Sequence, residues 1–404
     1  MKHNLYSEIE NNYRALYGKL FSTLIRQFGT TYVNEIEDAI QNTFLKSLRL
    51  WNLNKSPDKK ENWLFVVAQN DVLNQIHARQ RAQDHPVFSD TITTEELTGK
   101  DLRLEVILFI SSASGISNQA KVLFILKNIF GLKVEEISAS TLIHSEAIYK
   151  AINRAKISLK TTFGDASMPV FSSQPTESQI STIEDILYAV FNIGFDSFDP
   201  KVQSIVNEDL CLEAIALARL LHITYRADTT KNLLALFCFH AARIPAKVVN
   251  GKLVSFFNQD RKRWNSDLIK AGFYYLTKPE QLHRYYIESL IASKYITLEV
   301  PDKHDWNEIN DLYELLFAYH NSPIVKLNQC YALSQAGRND EALSFLEAIE
   351  NDLPGKHLYF SLVKAELLKL TNPKESENIL DSTIMNLEQT IRKEFLLESK
   401  LFTL

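Results

Sequence analysis

Apolar residues recur every three or four positions along almost the whole chain, which is the periodicity of amphipathic helices. No segment sustains the two-residue alternation of a half-buried strand. The pattern therefore predicts an all-α protein. Its clearest N-terminal segments are 4–28, 32–50, 61–83, 103–112, 117–130, 133–140 and 144–163, and a further series starts near residue 180.

Two polar stretches with helix-breaking residues divide this helical pattern. Residues 81–100 contain Pro86 and Gly99, and residues 163–179 contain two prolines and a glycine. We therefore expect three helical domains joined by linkers. The domains are expected at 1–85, 106–163 and 183–404, and the linkers at 86–105 and 164–182.

The C-terminal part contains a weak internal repeat. Residues 333–346, LSQAGRNDEALSFL, align with residues 367–380, LLKLTNPKESENIL, at an offset of 34 positions. This offset equals the length of a tetratricopeptide helix pair. Two copies fit a tetratricopeptide-like array and also a helical bundle with similar turns, so both alternatives stay open.

Composition fits a folded protein of several domains. The chain has 404 residues, of which 45% are hydrophobic and 23% charged. No run approaches the roughly 18 apolar residues of a membrane helix, and the first residues lack the apolar core of a signal peptide. The three cysteines are far apart and form no zinc or disulfide motif. We expect a cytoplasmic protein with no metal and no cofactor.

The net charge of -5 is unevenly distributed. Residues 1–182 carry 20 Lys and Arg against 19 Asp and Glu, whereas residues 183–404 carry 24 against 30. A wholly basic nucleic-acid binder is thereby excluded. The distribution leaves room for local basic faces in the N-terminal part, followed by an acidic C-terminal part.

Residues 116–160 have the pattern of a helix-turn-helix. Ser145 is expected to cap the second helix, and its buried stripe is predicted to consist of Ala147, Ile148, Ala151, Ile152 and Ala155. The opposite face carries Tyr149, Lys150, Asn153, Arg154 and Lys156. Such a face suits the major groove of DNA, although an ordinary solvated helix has the same pattern.

This segment resembles region 4 of the extracytoplasmic-function sigma factors, the domain that reads the −35 promoter element. The family pattern YEEIAEALGISEGAVKSRLHRARARLR aligns without a gap with residues 134–160. The identical positions are Glu135, Glu136, Ile137, Ile143, Ala147, Arg154, Ala155 and Leu159.

Two earlier segments resemble region 2 of the same family, which binds polymerase and reads the −10 element. Residues 35–51, EIEDAIQNTFLKSLRLW, follow the pattern AEDLVQETFLRALR, and residues 61–81, ENWLFVVAQNDVLNQIHARQR, follow RAWLFRIARNLALDHLRRRR. The C-terminal half resembles a tetratricopeptide-like helical extension found in one subgroup. Its markers lie at 188–195, 210–221, 258–273, 305–316 and 322–333.

The resemblance implies an alternative sigma factor, which has no catalysis of its own, directs core RNA polymerase to particular promoters and is regulated by its own C-terminal extension. Its partners would be promoter DNA and the beta-prime clamp and beta flap of the polymerase, with no membrane and no small-molecule ligand. The implied polymerase-binding residues are Glu37, Asp38, Gln41, Asn42 and Arg49. Those implied for the −10 element are Asn52, Asn54, Lys55, Lys59, Lys60, Asn70, Asn74, His77, Arg79 and Arg81. Those implied for the −35 element are Ser145, Tyr149, Lys150, Asn153, Arg154 and Lys156.

A charged cluster in the C-terminal part has an enzymatic and a structural interpretation. It consists of Asp260, Arg261, Arg263 and Trp264. An enzyme needs an acid and a base in separated environments within a pocket. Residues so close along one helix more often form ion pairs around a buried Trp, so we expect a structural role between domains.

Several positions depart from the family pattern. Tyr149 and Ala151 stand where the family has Lys and Arg, Leu142 replaces the glycine of the turn, and Gln69 replaces an arginine. Fewer basic residues mean fewer phosphate contacts and weaker DNA binding. The alternatives are therefore a degenerate sigma-like regulator, a protein-interaction scaffold with a vestigial DNA module, or an enzyme sited in the C-terminal domain.

Overall fold

The computed structural model describes residues 2–51, 57–82, 101–141, 143–164, 174–198, 205–353 and 357–399. These residues are mostly helical, which confirms the prediction of an all-α protein. They group into two compact units, Met1–Val190 and Phe191–Leu404, and the division falls within one helix.

The first unit consists of helices that follow the predicted apolar segments closely. The helices are α1 (Lys2–Phe28), α2 (Val33–Trp51), α3 (Lys60–Ala82), α4 (Arg103–Ser112), α5 (Asn118–Asn128), α6 (Val134–Thr141) and α7 (Ser145–Phe163), followed by α8 (Glu177–Phe195) across the division. Gly29 has a φ of 82°, which a glycine adopts without strain, and it separates α1 from the short 3₁₀ helix Thr30–Tyr32 that precedes α2.

The core of the first unit includes residues of both expected N-terminal domains, because α1 packs against α2, α3, α4 and α5. Phe21 of α1 and Phe124 of α5 are fully buried and meet edge to face, with ring centroids 6.2 Å apart. At Gly18 the backbones approach so closely that an added Cβ would lie 1.8 Å from the carbonyl oxygen of Ile129. The 1–85 and 106–163 segments therefore share one core.

The second unit is also helical, apart from one short hairpin. Its elements are α9 (Glu208–Tyr225), α10 (Asp228–Ala241), α11 (Ile244–Lys247), β1 (Val248–Val249), β2 (Lys252–Leu253), α12 (Ser266–Tyr275), α13 (Arg284–Thr297), α14 (Lys303–Tyr319), α15 (Pro323–Gln335), α16 (Asn339–Ala348), α17 (Leu358–Leu368), α18 (Pro373–Asn386) and α19 (Thr390–Ser399). The two antiparallel strands pair Val248 with Leu253, and the turn between them uses positive φ at Asn250 and Gly251.

Helix α10 is apolar almost all round, and this is why it lies at the centre of its neighbours. It packs against α9, α12 and α13, and Leu233, Ala235 and Phe237 have no exposed surface. Further along the chain, α13 to α17 enclose a second cluster around the buried Trp306.

The internal repeat corresponds to two consecutive helical hairpins. Residues 333–346 contain the end of α15, a turn at Gly337 with a φ of 82°, and most of α16. Residues 367–380 contain the end of α17 and the first half of α18. Helix α15 packs against both α16 and α17, and this pairing is compatible with a tetratricopeptide-like array and with a bundle.

In the described part of the chain, each helix is either too short or too polar to cross a bilayer.

Candidate nucleic-acid interface

The polar face of α2 is exposed at four of its five predicted polymerase-binding residues. Asp38, Gln41, Asn42 and Arg49 all face solvent, and the opposite face buries an apolar stripe that includes Ile36, Ile40 and Phe44. The Asn42 side chain donates a hydrogen bond to Asp71 on α3 at 3.0 Å. The exposed members of the predicted set are thus three short polar side chains and one arginine.

Glu37, the fifth of these residues, is buried, and the expectation that it is exposed is wrong. Its carboxylate is 2.7 Å from the Lys156 ammonium of α7 and 3.7 Å from that of Lys127 on α5. The residue is 7% exposed. The reason is tertiary: α5 and α7 bring two lysines to the first turns of α2, and the single carboxylate lies close to both.

Helices α6 and α7 form the expected helix-turn-helix, although the second helix begins differently. The N-cap residue is His144, without a side-chain capping bond, so the prediction that Ser145 caps the helix is wrong. The turn is held instead by Ser138, whose hydroxyl donates to the carbonyl of Ile143 at 2.7 Å. Leu142, the residue at the turn, lies outside the described residues.

The faces of α7 divide almost as the sequence predicts. Ile148, Ala151, Ile152, Ala155 and Leu159 are buried. Ala147, expected in this stripe, is exposed, because the stripe continues towards Leu159 and the inner face is rotated away from position 147.

The exposed face of α7 carries four of the residues implied for the −35 element. Tyr149, Lys150, Asn153 and Arg154 are exposed, and their spacing places them on adjacent turns of one side of the helix. Arg154 donates a hydrogen bond to the Lys150 carbonyl at 3.3 Å. Ser145, at the start of the helix, is partly buried. This face offers two positive charges, one amide and one phenol ring.

Lys156 does not belong to that exposed face, and its predicted exposure is wrong. Its ammonium donates to Glu37 at 2.7 Å and to the side chain of Asn34 at 3.0 Å. Nearby, the hydroxyl of Thr30 donates to the Leu159 carbonyl at 3.1 Å. These bonds attach α7 to the start of α2 within the first unit.

The residues implied for the −10 element fall into three groups. Asn52, Asn54 and Lys55 lie outside the described residues. Lys59, Asn70, Asn74 and Arg81 are exposed, and the last three share one side of α3. Lys60, His77 and Arg79 are partly buried.

Two of the partly buried residues are engaged inside the first unit. The Lys60 ammonium lies 5.6 Å from the centre of the Trp51 ring. Arg79 donates to Glu35 on α2 at 2.6 Å. Trp51 and Phe65 are buried, and Trp63 is partly buried. Lys59 and Arg81 are therefore among the cations that remain available to contact a DNA strand on this surface.

The cluster at 260–264 is a 3₁₀ turn, so the prediction of one continuous helix with internal ion pairs is wrong. Asp260 caps Arg261–Arg263 by accepting from the Lys262 amide at 3.0 Å. Arg261 stacks on the buried Trp264 at 4.5 Å and donates to the Ile296 carbonyl at 2.7 Å. Arg263 is exposed.

These contacts are structural, and the partners of Arg261 and Trp264 lie within the second unit. They tie the loop before α12 to the C-terminal end of α13. The expectation that the cluster joins two domains has no support among these contacts.

A buried ionic cluster in the second unit was missed by sequence reasoning. Asp196, just after α8, accepts from Lys247 at 2.7 Å and from the Tyr359 hydroxyl at 2.8 Å, and it lies 3.1 Å from Arg392. Arg392 and Tyr359 also bond to each other at 2.9 Å. The one available signal is a single acid that follows the apolar run YAVFNIGF.

The environment of this cluster shifts several pKa values. The pKa of Asp196 is lowered far below its usual range: burial opposes the ionised carboxylate, but the Lys247 and Arg392 charges outweigh it. Burial lowers the pKa of Lys247 and lowers that of the neighbouring His240 to about 3. One carboxylate thus holds two cations and a tyrosine hydroxyl together.

Cysteines and metal-binding groups add no further candidate in the described part of the chain. No cluster of His, Cys, Asp and Glu there has the geometry of a metal site. Cys211, Cys238 and Cys330 are free and buried, and burial raises the pKa of each thiol to about 12.

Comparison with known proteins adds two similarities. Residues 179–279 match a family of unknown function, DUF6596. An uncharacterized protein of Rhizobium meliloti (strain 1021) is 27% identical over 365 residues, which cover 86% of this chain and 85% of that protein. No solved structure matches the chain.

Proposed function

We propose that this protein is an alternative sigma factor of the extracytoplasmic-function type, which recruits core RNA polymerase and directs it to specific promoters. The observation that carries the proposal is the helix-turn-helix of α6 and α7, with Tyr149, Lys150, Asn153 and Arg154 exposed on its second helix. The region 2 and region 4 motifs, in the family's order along the chain, add support.

In this proposal the −35 element is read by α7. A recognition helix contacts base edges with a few side chains and contacts phosphates with basic residues. Lys150 and Arg154 supply the charges, Asn153 supplies an amide that can pair with a base, and Tyr149 supplies an aromatic surface. Two cations give modest affinity, which is sufficient when the polymerase contributes the remaining DNA contacts.

The −10 element is assigned to α3 and to the loop before it. Asn70, Asn74 and Arg81 offer hydrogen-bond donors on one side of α3, and Lys59 adds a charge at its start. An unpaired strand needs groups that bond to base edges and positive charge along its backbone. The polymerase itself is assigned to the exposed face of α2.

The ion pair between α7 and α2 imposes a condition on this mechanism. Glu37 and Lys156 cover each other through their ion pair, although the family resemblance gives one to the polymerase and the other to DNA. Initiation therefore requires α7 to leave α2. The proposal includes this rearrangement as a step that precedes promoter binding.

Transcription reconstituted from purified components tests the proposal. The full chain is mixed with core polymerase and fragmented genomic DNA, and the 5′ ends of the transcripts are sequenced. We expect a set of discrete start sites that share sequence elements near −10 and −35. Start sites identical to those made by core polymerase alone would refute the sigma assignment.

Polymerase binding is tested separately through the exposed face of α2. Replacing Asp38→Arg together with Gln41→Ala should abolish co-purification with core polymerase and leave the fold intact, because both side chains are exposed. Asp381→Arg, an equally exposed acid of α18, is the matched control. Unchanged binding by the double variant would remove the assignment of this face.

A second candidate function is a sigma-like regulator that binds polymerase without reading DNA. It is favoured by the engagement of Lys156 with Glu37 and of Arg79 with Glu35, which takes two of the implied DNA contacts out of use. It predicts binding to core polymerase together with no promoter-specific start sites. The two assays above therefore separate the candidates.

A further inference from the structure

Three cations of the second unit, Lys247, Arg392 and Arg243, lie near the Asp196 carboxylate. Lys247 and Arg392 pair directly with Asp196. Arg243, one turn before Lys247, is attracted by the same carboxylate but forms an ion pair with no described residue. Lys247 and Arg392 both have further hydrogen-bond partners. Lys247 donates to the Phe195 carbonyl at 2.6 Å, and Arg392 donates to the Tyr359 hydroxyl. Positive charge exceeds negative charge at this place.

Arg243 is the member of the cluster that lacks an acceptor among the described residues. Its Nε is buried without a hydrogen-bond partner, and the residue as a whole remains partly exposed. Its guanidinium carbon lies 4.2 Å from the centre of the Phe256 ring and 5.5 Å from that of Phe195. Aromatic faces stabilise a cation, but they provide no hydrogen-bond acceptor for the buried Nε–H.

Two neighbouring side chains also contain buried nitrogens without partners. The Trp264 ring lies 5.7 Å from the Phe256 ring, and its indole N–H has no acceptor in the described part of the chain. The Nδ1 of His240 is likewise without a partner, and its ring is 5.3 Å from that of Phe195. Buried polar groups in native proteins are nearly always satisfied, so a polar ligand that reaches these rings would provide partners for several nitrogens at once.

We infer that Arg243 is the anchor of a binding site for a small molecule with an oxyanion, either a carboxylate or a phosphate group. Arginine recognises both groups with two parallel hydrogen bonds. The guanidinium lies 4.2 Å from the centre of the Phe256 ring, and the partial exposure of Arg243 gives the ligand access. The bound anion also neutralises the excess charge beside Lys247. This inference concerns the second unit alone and does not depend on the proposed sigma activity.

Arg243 keeps the charge that this role requires. Burial lowers its pKa to about 9, against the attraction of Asp196, and an arginine with that pKa is protonated at neutral pH. The site therefore presents a permanent cation to an anion under ordinary conditions. His240, whose pKa is lowered to about 3 by burial, is neutral there and adds no charge.

Thermal unfolding of the full chain tests the site, with inorganic phosphate and acetate as separate probes at constant ionic strength in chloride. A ligand that binds the native state alone raises Tm in a saturable way. We expect saturable stabilisation by at least one probe, and the stronger of the two identifies the group. In Arg243→Met the apparent affinity should fall about tenfold to a hundredfold, as expected for losing charge-assisted hydrogen bonds.

Arg219→Met is the matched control, because Arg219 is an exposed arginine of α9 in the same unit. It should retain the full response. A Tm that rises equally in wild type, Arg243→Met and Arg219→Met would reflect general salt effects and overturn the inference.

A carboxylate from the chain itself is the remaining competitor, and Asp199 is the nearest acid in sequence that lies outside the described residues. If Asp199 were the partner, Asp199→Asn and Arg243→Met would each lower Tm and the double variant would lower it no further. That result would overturn the inference. Additive effects, together with anion binding that survives in Asp199→Asn, support it.

Discussion

Lys156 donates a hydrogen bond to the Glu37 carboxylate at 2.7 Å, and this bond joins α7 to α2. Under the proposed function one residue would face DNA and the other would face the polymerase. The two are instead removed from solvent by each other, with side chains 14% and 9% exposed. In this arrangement the proposed polymerase-binding surface and the proposed DNA-binding surface are both partly covered. The strength of the Glu37–Lys156 ion pair then governs how readily they become exposed.

A double-mutant cycle measures that strength. Glu37→Gln and Lys156→Met should each destabilise the first unit, and their coupling energy should be about 1–3 kcal/mol, as for contacting residues in one ionic network. Urea unfolding followed by far-UV circular dichroism gives the four free energies. In Lys156→Met the Glu37 carboxylate still has Lys127 nearby, so its charge is not isolated. The coupling energy is therefore smaller than the cost of a buried charge with no partner. Strict additivity would show that the pair contributes nothing.

Gly18 provides an independent way to disturb the same core. An alanine Cβ there would lie 1.8 Å from the Ile129 carbonyl oxygen and 2.9 Å from its carbon, so backbone must move. We expect Gly18→Ala to lower the free energy of unfolding by about 2–4 kcal/mol, although alanine is the better helix former. Exposed Ala78 of α3 is the control: Ala78→Gly measures the helix-propensity effect alone. A stabilised Gly18→Ala variant would disprove the close approach of α1 and α5.

The helices were predictable because their apolar periodicity is local information. The buried stripe of α7 was correct at Ile148, Ala151, Ile152 and Ala155, since these positions follow from helical spacing. Lys156 was placed wrongly because its environment depends on α2, more than a hundred residues earlier in the chain. The helical pattern of a sequence does not show which distant residue a side chain will contact.

The candidate sites were less predictable than the helices for the same reason. Asp38 and Gln41 were correctly expected to be exposed, whereas Glu37 on the same helix is covered by lysines of α5 and α7. Asp196 was overlooked, because the lysine and the arginine that make it a cluster are 51 and 196 positions away along the chain. Such constellations exist only after folding.

Asp196 should be the most sensitive acid of the second unit. Asp196→Asn leaves Lys247 and Arg392 buried without their carboxylate, and breaking a buried pair in this way costs about 3–5 kcal/mol. The loss should be visible by urea unfolding at neutral pH. Asp381→Asn, an exposed acid of α18, should change stability by less than about 0.5 kcal/mol.

The pH dependence of the same variant provides a second check. The pKa of Asp196 is lowered in the folded state, so its stabilising effect is complete above the ordinary carboxyl pKa near 4 and is lost as the pH falls towards the depressed value. The difference between wild type and Asp196→Asn should therefore shrink below about pH 4. A difference that stays constant in acid would mean that Asp196 is not ionised in the folded chain.

His240 should contribute to the pH dependence at milder acidity, where burial also lowers the pKa values of His222, His283 and His357. Burial lowers its pKa to about 3 in the folded protein, against an unfolded value near 6.5. Between these two values the unfolded chain binds a proton that the folded chain does not, so stability falls by up to about 1.4 kcal/mol per pH unit as the pH decreases. His240→Gln should remove this slope between about pH 6 and pH 4.

The control for this experiment is His304→Gln, because the His304 side chain is 81% exposed. It should leave the slope of stability against pH as it is in wild type. An equal slope in His240→Gln and wild type would show that the imidazole is solvated in the native state.

The salt dependence of DNA binding distinguishes two classes of basic residue on α7. Each phosphate contact adds about 0.9 to the slope of log affinity against log salt. If the holoenzyme docks α7 in the major groove, Lys150→Ala and Arg154→Ala should each lower the slope by about one and weaken binding to all promoters alike. Arg219→Ala is the exposed control outside the helix-turn-helix.

The Lys156→Ala substitution distinguishes two arrangements of the first unit: a closed one, in which α7 is bound to α2, and an open one, in which α7 has left α2. In the closed arrangement its ammonium is bound to Glu37 and Asn34 and makes no phosphate contact, so the salt slope of the Lys156→Ala holoenzyme would equal that of wild type. If α7 leaves α2, as the proposed mechanism requires, Lys156 becomes free and its removal lowers the slope by about one more.

The same substitution also removes the ion pair that holds α7 to α2, so the free protein should bind core polymerase more tightly. A changed slope with unchanged polymerase affinity would show that α7 opens without help from this pair, and no change in either would confine Lys156 to a structural role.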